Sequence, residues 1–325
     1  MTKAIRIHQH GGPENMVWED VNVGKPGPGE ARIRQTAVGL NFIDVYQRTG
    51  LYPLGELPAI IGLEAAGVVT DVGAGVEGLK PGQRVAYAGL PPGAYAEERL
   101  IPDHRLVPLP DSIDDTQAAA MMLQGMTAEY LLRRTYTVQP EDTILIHAAA
   151  GGVGLIVCQW AKHLGATVIG TVGNEEKAEL ARANGCDHTI LYTRENFTDR
   201  VRDITDGKGV AVVYDSIGKD TFEGSLDCLR PMGMMVTYGN ASGPVPAFEP
   251  AMLAAKGSLF LTRPVLMTYT AAREDLLQSA NDLFSVVDGG HVNISVNQTY
   301  DLKDAAQAHR DLEARKTTGS TVLMV

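Results

Sequence analysis

Residues 143–154 read TILIHAAAGGVG, an aliphatic run that opens into alanines and then three glycines within four positions. The run has the length of a buried strand. The following VGLIVCQWAKHL sets Val153, Val157, Trp160 and Leu164 along one helical face. Aligned on its small residues, the turn has the pattern A-x-G-x-x-G through Ala149, Gly151 and Gly154. Small residues let backbone approach a pyrophosphate, and a helix start offers free N–H groups and the positive end of a dipole. Gly151 and Gly154 are therefore candidate dinucleotide contacts, with Gly154 also permitting close packing of helix on strand. A tight turn without a ligand would use similar residues, but strand, glycine turn, helix and second strand occur here in the order that the motif requires.

The second strand, ATVIGTV, ends at Thr171-Val172-Gly173-Asn174 with no carboxylate at its tip. An NAD site usually carries Asp or Glu there to bond the ribose 2′-hydroxyl. Gly173 leaves room for a 2′-phosphate and Lys177, one turn on, supplies a countercharge, so NADPH is expected over NADH. The alternative for Lys177 is a solvated helix residue.

Outward from this unit, strands and amphipathic helices alternate through HTILY, FTDRVRDIT, VAVVYDS, TFEGSLDCLR, GMMVTYG and SLFLTR. Such alternation predicts an α/β fold with a doubly wound parallel sheet. The N-terminal part instead reads as β-rich, with ARIRQTAVGL, EAAGVVTDVG and QRVAYAGL separated by turns such as Lys80-Pro81-Gly82 and Leu90-Pro91-Pro92-Gly93. Between the two lies a long helical stretch, DDTQAAAMMLQGMTAEYLLRRT, which Gly125 is expected to divide into two helices. After SLFLTR come a helix, a strand, the helix LKDAAQAHRDLEAR and the terminal strand STVLMV, expected to return to the first domain.

Composition excludes several classes. The chain has 325 residues, enough for about two domains. Its 28 Lys+Arg against 39 Asp+Glu give a formal charge of -11. An acidic surface repels phosphate backbones, so no nucleic-acid partner is expected. No apolar run approaches the ~20 residues of a membrane span, and MTKAIRIHQHGGPE is broken too early for a signal peptide, so no membrane anchor and a cytoplasmic location are expected. Cys158, Cys186 and Cys228 lie far apart in sequence and have neither a disulfide framework nor zinc spacing; Cys158 and Cys228 read as core residues. The eight histidines show no metal-binding spacing, and His147 is expected to pack or bond beside the glycine turn.

Several further stretches carry a resemblance: Asn41-Phe42-Ile43-Asp44-Val45-Tyr46, Gly50-Leu51-Tyr52-Pro53, Gly62-Leu63-Glu64-Ala65-Ala66-Gly67, Gly93-Ala94-Tyr95, the glycine turn with Gln159 and Lys162, Val213-Tyr214-Asp215-Ser216, Tyr238-Gly239-Asn240 and Thr262-Arg263-Pro264. Together, and over essentially the whole chain, they resemble the zinc-independent medium-chain dehydrogenases/reductases, and within them the zeta-crystallin-like NADPH:quinone oxidoreductase family. The resemblance implies a Rossmann domain at 126–262 inserted into a GroES-like β-rich catalytic domain made of 1–125 and 263–325. It also implies a homodimer joined through the nucleotide-binding sheets.

The zinc-dependent relatives place Cys where this chain has Asn41, His where it has Leu63, and a further ligand near Gln124. Leucine offers no donor and amides are poor zinc ligands, so no metal is expected; Glu64 remains of the pattern and reads as structural. By matching position, Asn41, Tyr46 and Tyr52 line the substrate cleft as hydrogen-bond donors. Thr127 lies near the nicotinamide, Gly152 and Val153 at the pyrophosphate, Gly173, Lys177 and Tyr192 at the adenosine phosphate, and Ser216, Gly239 and Asn240 at later strand ends. Arg315, expected within the last helix, is a second candidate for the 2′-phosphate. Alternative roles are domain-interface packing for Tyr46 and Tyr52, helix capping for Asn41 and Asp44, and an ion pair with Asp311 for Arg315. The function implied is metal-independent reduction of a small-molecule quinone by NADPH. The alternatives are reduction of alkenal or enone double bonds, and a nucleotide-loaded structural or RNA-interacting protein.

Overall fold

The computed structural model describes residues 2–325, which gather into two compact units. One holds the chain up to Met126, Thr270–Asn281 and Ile294–Val325; the other holds Thr127–Tyr269 and Asp282–Asn293.

The first unit begins with β1 (Thr2–Ile7), β2 (Met16–Val21), β3 (Glu30–Leu40), α1 (Phe42–Thr49), β4 (Ala59–Ile60), β5 (Glu64–Val72), β6 (Arg84–Ala88), β7 (Glu98–Pro102), β8 (Val107–Pro108) and α2 (Asp115–Tyr130), whose residues from Thr127 on belong to the second unit. Alternation along β3 turns Ala31 and Ile33 inward and, beyond a register shift at Gln35/Ala37, Val38 and Leu40, into one core with Val69, Val85, Tyr87 and Ile101. Gln35 shares that buried face. Its amide donates to Ala94 O at 2.8 Å and to Ala96 O, and its Oε1 accepts from the Tyr87 hydroxyl at 2.5 Å. A buried amide is tolerated because each of its polar atoms is engaged.

Helix α2 runs unbroken through Gly125, contrary to the expected division. Its Ala118, Ala119, Ala120, Met121, Met122 and Met126 are all buried, and packing on several sides outweighs the modest propensity cost of one glycine. The irregularity falls later, in a π-helical turn at Leu131–Thr135. There the Tyr214 hydroxyl donates to Leu131 O at 3.0 Å, an inserted donor of the kind that locally unwinds a helix.

The second unit contains β9 (Thr143–Ile146), α3 (Gly152–His163), β10 (Thr167–Val172), α4 (Glu175–Ala183), β11 (His188–Leu191), α5 (Phe197–Ile204), β12 (Val210–Asp215), α6 (Phe222–Asp227), β13 (Leu229–Thr237), α7 (Ala251–Ala255), β14 (Phe260–Thr262) and α8 (Leu266–Tyr269). Its strands pair in parallel in the order β11-β10-β9-β12-β13-β14. The order reverses between β9 and β12, so this is the doubly wound sheet that the alternation predicted. Leu145, Ile169, Val213 and Met235 from adjacent strands pack with Phe222 and Leu226 of α6.

Cys158 and Cys186, distant in sequence, meet in this core and their thiols hydrogen-bond; that contact and burial raise the Cys158 thiol well above its ordinary pKa. All three cysteines are buried and free.

Helix α9 (Arg273–Asp288) carries the chain across the division between units. It is followed by β15 (Val296–Asp301), α10 (Ala305–Glu313) and β16 (Ser320–Met324). Strand β16 pairs antiparallel with β3, so the C-terminus completes the large sheet of the first unit.

Candidate functional site

In the second unit, β9 ends at Ile146 and α3 starts from Gly151 as its N-cap. A Cβ on Gly154 would lie 2.4 Å from Ala148 O and 2.7 Å from the carbonyl carbon of Ala149. Only glycine fits against that turn. No side chain caps α3 and its first turn has no acidic residue, so the N–H groups of Gly152, Val153 and Gly154 remain available to an anion. His147 is held by Thr171 Oγ1 and Ser225 Oγ, each at 2.9 Å, and burial lowers its pKa. It therefore serves the core beside the turn.

At the tip of β10, the structure brings the Tyr192 hydroxyl to Gly173, and Lys177 lies on the helix that follows. A Cβ on Gly173 would lie 3.0 Å from the Tyr192 hydroxyl. Asn174 caps α4 by accepting from Lys177 N at 2.9 Å, which sets Lys177 in the first turn of that helix. At the ends of β12 and β13, Gly239 packs on Ser216, where a Cβ would come within 2.4 Å of Ser216 O. Asn240 donates to Gly239 O at 2.9 Å and accepts from Arg263 at 3.1 Å. Arg263 was not singled out as a site residue; its position directly after the sixth strand was the available signal. Thr127 hydrogen-bonds Tyr130, whose ring stacks on Tyr269 at 4.5 Å.

Arg315 belongs to the first unit, and it lies beyond α10 rather than within it, at φ +59°. Asp311, its expected partner, accepts from the Tyr300 hydroxyl, from Gln307 and from Lys316.

The first unit holds a second cluster around α1. Asn41 is the N-cap of this helix, and the Asp44 carboxylate accepts from Asn41 N at 2.9 Å. The Asn41 side chain is engaged at both ends: Nδ2 donates to Glu64 Oε2 at 2.6 Å, and Oδ1 accepts from Gln124 Nε2 at 3.1 Å. Glu64 Oε1 takes Leu123 N at 2.7 Å, and Gln124 Oε1 takes the Ser320 hydroxyl at 2.7 Å. Glu64 thus links Asn41 to the backbone of α2. Burial pushes its carboxyl up to about 8 and that of Asp44 up to about 7.

Asp44 also ends a second row. Arginine cannot accept, so the 3.2 Å contact of Arg48 Nη1 with His309 Nδ1 makes that nitrogen the acceptor. His309 Nε2 then carries the proton and donates to the Tyr95 oxygen at 3.0 Å, and Tyr95 donates to Asp44 Oδ2 at 3.1 Å. Burial and the Arg48 charge lower the His309 pKa to about 3, keeping it neutral. The Tyr46 and Tyr52 rings meet edge-on at 5.2 Å, and Phe42 lies 6.3 Å from Tyr46. The fold therefore joins Asn41, Glu64, Gln124 and Ser320 in one row and Tyr46 with Tyr52 in an aromatic cluster beside the same helix.

A doubly wound nucleotide-type sheet with a glycine turn, together with a β-rich unit closed by the C-terminal strand, defines a medium-chain dehydrogenase/reductase. Residues 27–111 match the model for the alcohol dehydrogenase GroES-like domain, and residues 152–281 match that for zinc-binding dehydrogenases. The chain is 52% identical to a quinone oxidoreductase of Pseudomonas aeruginosa, over 100% of both chains. It is also 52% identical to a 2-haloacrylate reductase of a Burkholderia species, over 100% of this chain and 99% of that protein. The crystal structure of Escherichia coli quinone oxidoreductase complexed with NADPH superposes with a TM-score of 0.98 at 47% identity, covering 99% of this chain and 100% of the other. The chain belongs to the quinone oxidoreductase family of the medium-chain dehydrogenases/reductases.

The zinc implied by the name of one matching model does not fit the residues present. Leu63 is apolar and fully buried, and the amides of Asn41 and Gln124 are committed to each other, to Glu64 and to Ser320. Among the described residues, no group of three or more His, Cys, Asp or Glu could hold a metal. NADPH does fit: the uncapped start of α3, the glycine contacts at its turn, and the Gly173 tip with Lys177 beside it suit a dinucleotide with a 2′-phosphate.

Proposed function

We propose that this chain is an NADPH-dependent quinone reductase that works without a metal. The carrying observation is the donor set at Asn41, where amides and a carboxyl satisfy one another instead of offering ligands, within a chain about half identical to quinone oxidoreductases along its full length. NADPH, when bound, supplies the hydride. Gly151, Gly152, Val153 and Gly154 hold the pyrophosphate, with Thr127, Ser216, Gly239 and Asn240 along the strand ends. Gly173 leaves space for the adenosine 2′-phosphate, and Lys177 and Tyr192 contact it. Asn41, through the Nδ2 proton that Glu64 does not take, and Tyr46 and Tyr52 are the donors to the acceptor oxygen, where negative charge develops as a quinone is reduced; such donors stabilise that charge. A quinone becomes aromatic on reduction, so hydrogen bonds suffice where a simple ketone needs a stronger electrophile.

We assign nucleotide binding to 126–262 and catalysis to 1–125 with 263–325. A homodimer through the nucleotide sheet is supported by its edge strand β14, where Phe260 is 58% exposed, and by Met232, 70% exposed. No helix of the described residues is long and apolar enough to cross a membrane; a cytoplasmic location is in keeping with three free thiols.

The equal identity to a 2-haloacrylate reductase favours one second reading, reduction of an activated carbon–carbon double bond. NADPH oxidation measured side by side with a benzoquinone, a naphthoquinone, an alkenal and a 2-haloacrylate separates the two. Turnover of the quinones supports the first reading. Turnover of the alkenal or haloacrylate alone supports the second, and oxidation with none of them overturns both.

A further inference from the structure

Ser320 Oγ lies 2.7 Å from Gln124 Oε1 and 2.8 Å from Ala120 O. A hydroxyl has one proton, so it can serve only one of these acceptors at a time. The choice propagates. With Ser320 donating to Gln124 Oε1, Gln124 Nε2 donates to Asn41 Oδ1 and Asn41 Nδ2 donates to an ionised Glu64. With Ser320 donating to Ala120 O, its oxygen becomes an acceptor, and both amides can turn end for end. Gln124 then donates to Ser320, Asn41 donates to Gln124, and a protonated Glu64 donates to Asn41 Oδ1. Every polar atom of the row keeps a partner in both arrangements, and Glu64 Oε1 keeps Leu123 N throughout.

We infer that Glu64 is a positioning residue whose proton sets the direction of the whole row, so that its gain or loss exchanges the donor and acceptor ends of the Asn41 amide. The carboxyl itself has little room to move: a Cβ on Gly39 would already lie 2.3 Å from Glu64 Oε2. The change is therefore one of proton position and amide orientation. Burial raises Glu64 to about 8, so both arrangements are populated around neutral to mildly alkaline pH.

The titratable groups around Glu64 are Asp44 on α1, whose negative charge raises it further, Tyr87 on β6 and Tyr95 ahead of β7. Arg99 stands behind Tyr87 and Arg48 near Tyr95, while α2 contributes the backbone N–H groups of Met122 and Leu123. The reversal stands on the row alone; its effect on turnover rests on the proposed role of Asn41 as donor to the substrate.

The test uses the full-length protein labelled with 15N-asparagine, with the Asn41 side-chain signal identified by its loss in Asn41→Ala. Between about pH 6 and about pH 10 the wild-type signal should move through one titration that is lost in Glu64→Gln and kept in Asp44→Asn. Turnover of a quinone at saturating NADPH should follow the same titration and become level in Glu64→Gln. A wild-type signal that does not move overturns the reversal without any variant. A titration kept in Glu64→Gln and lost in Asp44→Asn overturns it by assigning the proton to Asp44. A signal that titrates while turnover stays level upholds the reversal and overturns the donor role of Asn41.

Discussion

Gly39 faces the Glu64 carboxyl so closely that a Cβ on residue 39 would lie 2.3 Å from Oε2, and 2.2 Å from Ala119 O on its other side. One of these obstacles is backbone and the other is a carboxyl fixed by Asn41 and Leu123. Gly39→Ala should therefore destabilise the fold by about 1–3 kcal/mol, the usual cost of overpacking a rigid core. Chemical denaturation checks it, and a loss under about 0.5 kcal/mol would show that β3 and α2 separate easily.

Stability should depend on pH with two opposing slopes. Asp44 and Glu64 have folded-state pKa values of about 7 and about 8, above their ordinary 3.8 and 4.5. The folded state thus binds these protons more tightly, and the stability they contribute is lost as pH rises through the folded values. His309 is lowered from 6.5 to about 3, so the unfolded chain takes up its proton first, and stability is lost as pH falls below 6.5. Denaturation across pH should show wild type losing stability between about pH 4.5 and pH 8, most steeply just above pH 6.5 where His309 no longer opposes the loss, with a smaller loss in Glu64→Gln and in Asp44→Asn. An unchanged slope in both variants would place the titrating groups elsewhere.

Lys177→Ala should raise the Kd for NADPH by about tenfold, as expected for losing one charge-assisted contact, and leave that for NADH nearly unchanged. Titration of both cofactors at one salt concentration measures this. Equal affinity of the wild-type protein for the two would refute the selectivity assigned to Gly173 and Lys177.

Tyr46→Phe and Tyr52→Phe each keep the edge-on ring contact at 5.2 Å and remove only a hydroxyl. Quinone turnover should fall in at least one of them by more than NADPH affinity does. Steady-state kinetics beside a cofactor titration gives the comparison, and wild-type turnover in both would move the acceptor site away from this cluster.

The alternation of strands and helices, the glycine turn and the bare tip at Gly173 were legible from local sequence, because strand and helix periods and close backbone approaches are imposed within a few residues. The same local reasoning failed at Gly125, where burial of the surrounding alanines and methionines held the helix straight through a poor helix former. It also placed Arg315 in a helix that ends at Glu313.

The sequence by itself determined the nucleotide-type sheet, the absence of zinc donors at Asn41 and Leu63, and the scattering of Cys158, Cys186 and Cys228 that disfavours a disulfide framework. Only the tertiary structure decided which polar groups meet. Ser320 reaches Gln124 across 196 positions and Arg48 reaches His309 across 261, pairings made by folding the C-terminal strand and helix back onto the first unit. Hydrogen bonds need contact within about 3 Å, and burial strengthens them and shifts the pKa of the carboxyls they hold. Neither condition is written in residue order, so Glu64 becomes a switchable partner of Asn41 only once the chain is folded.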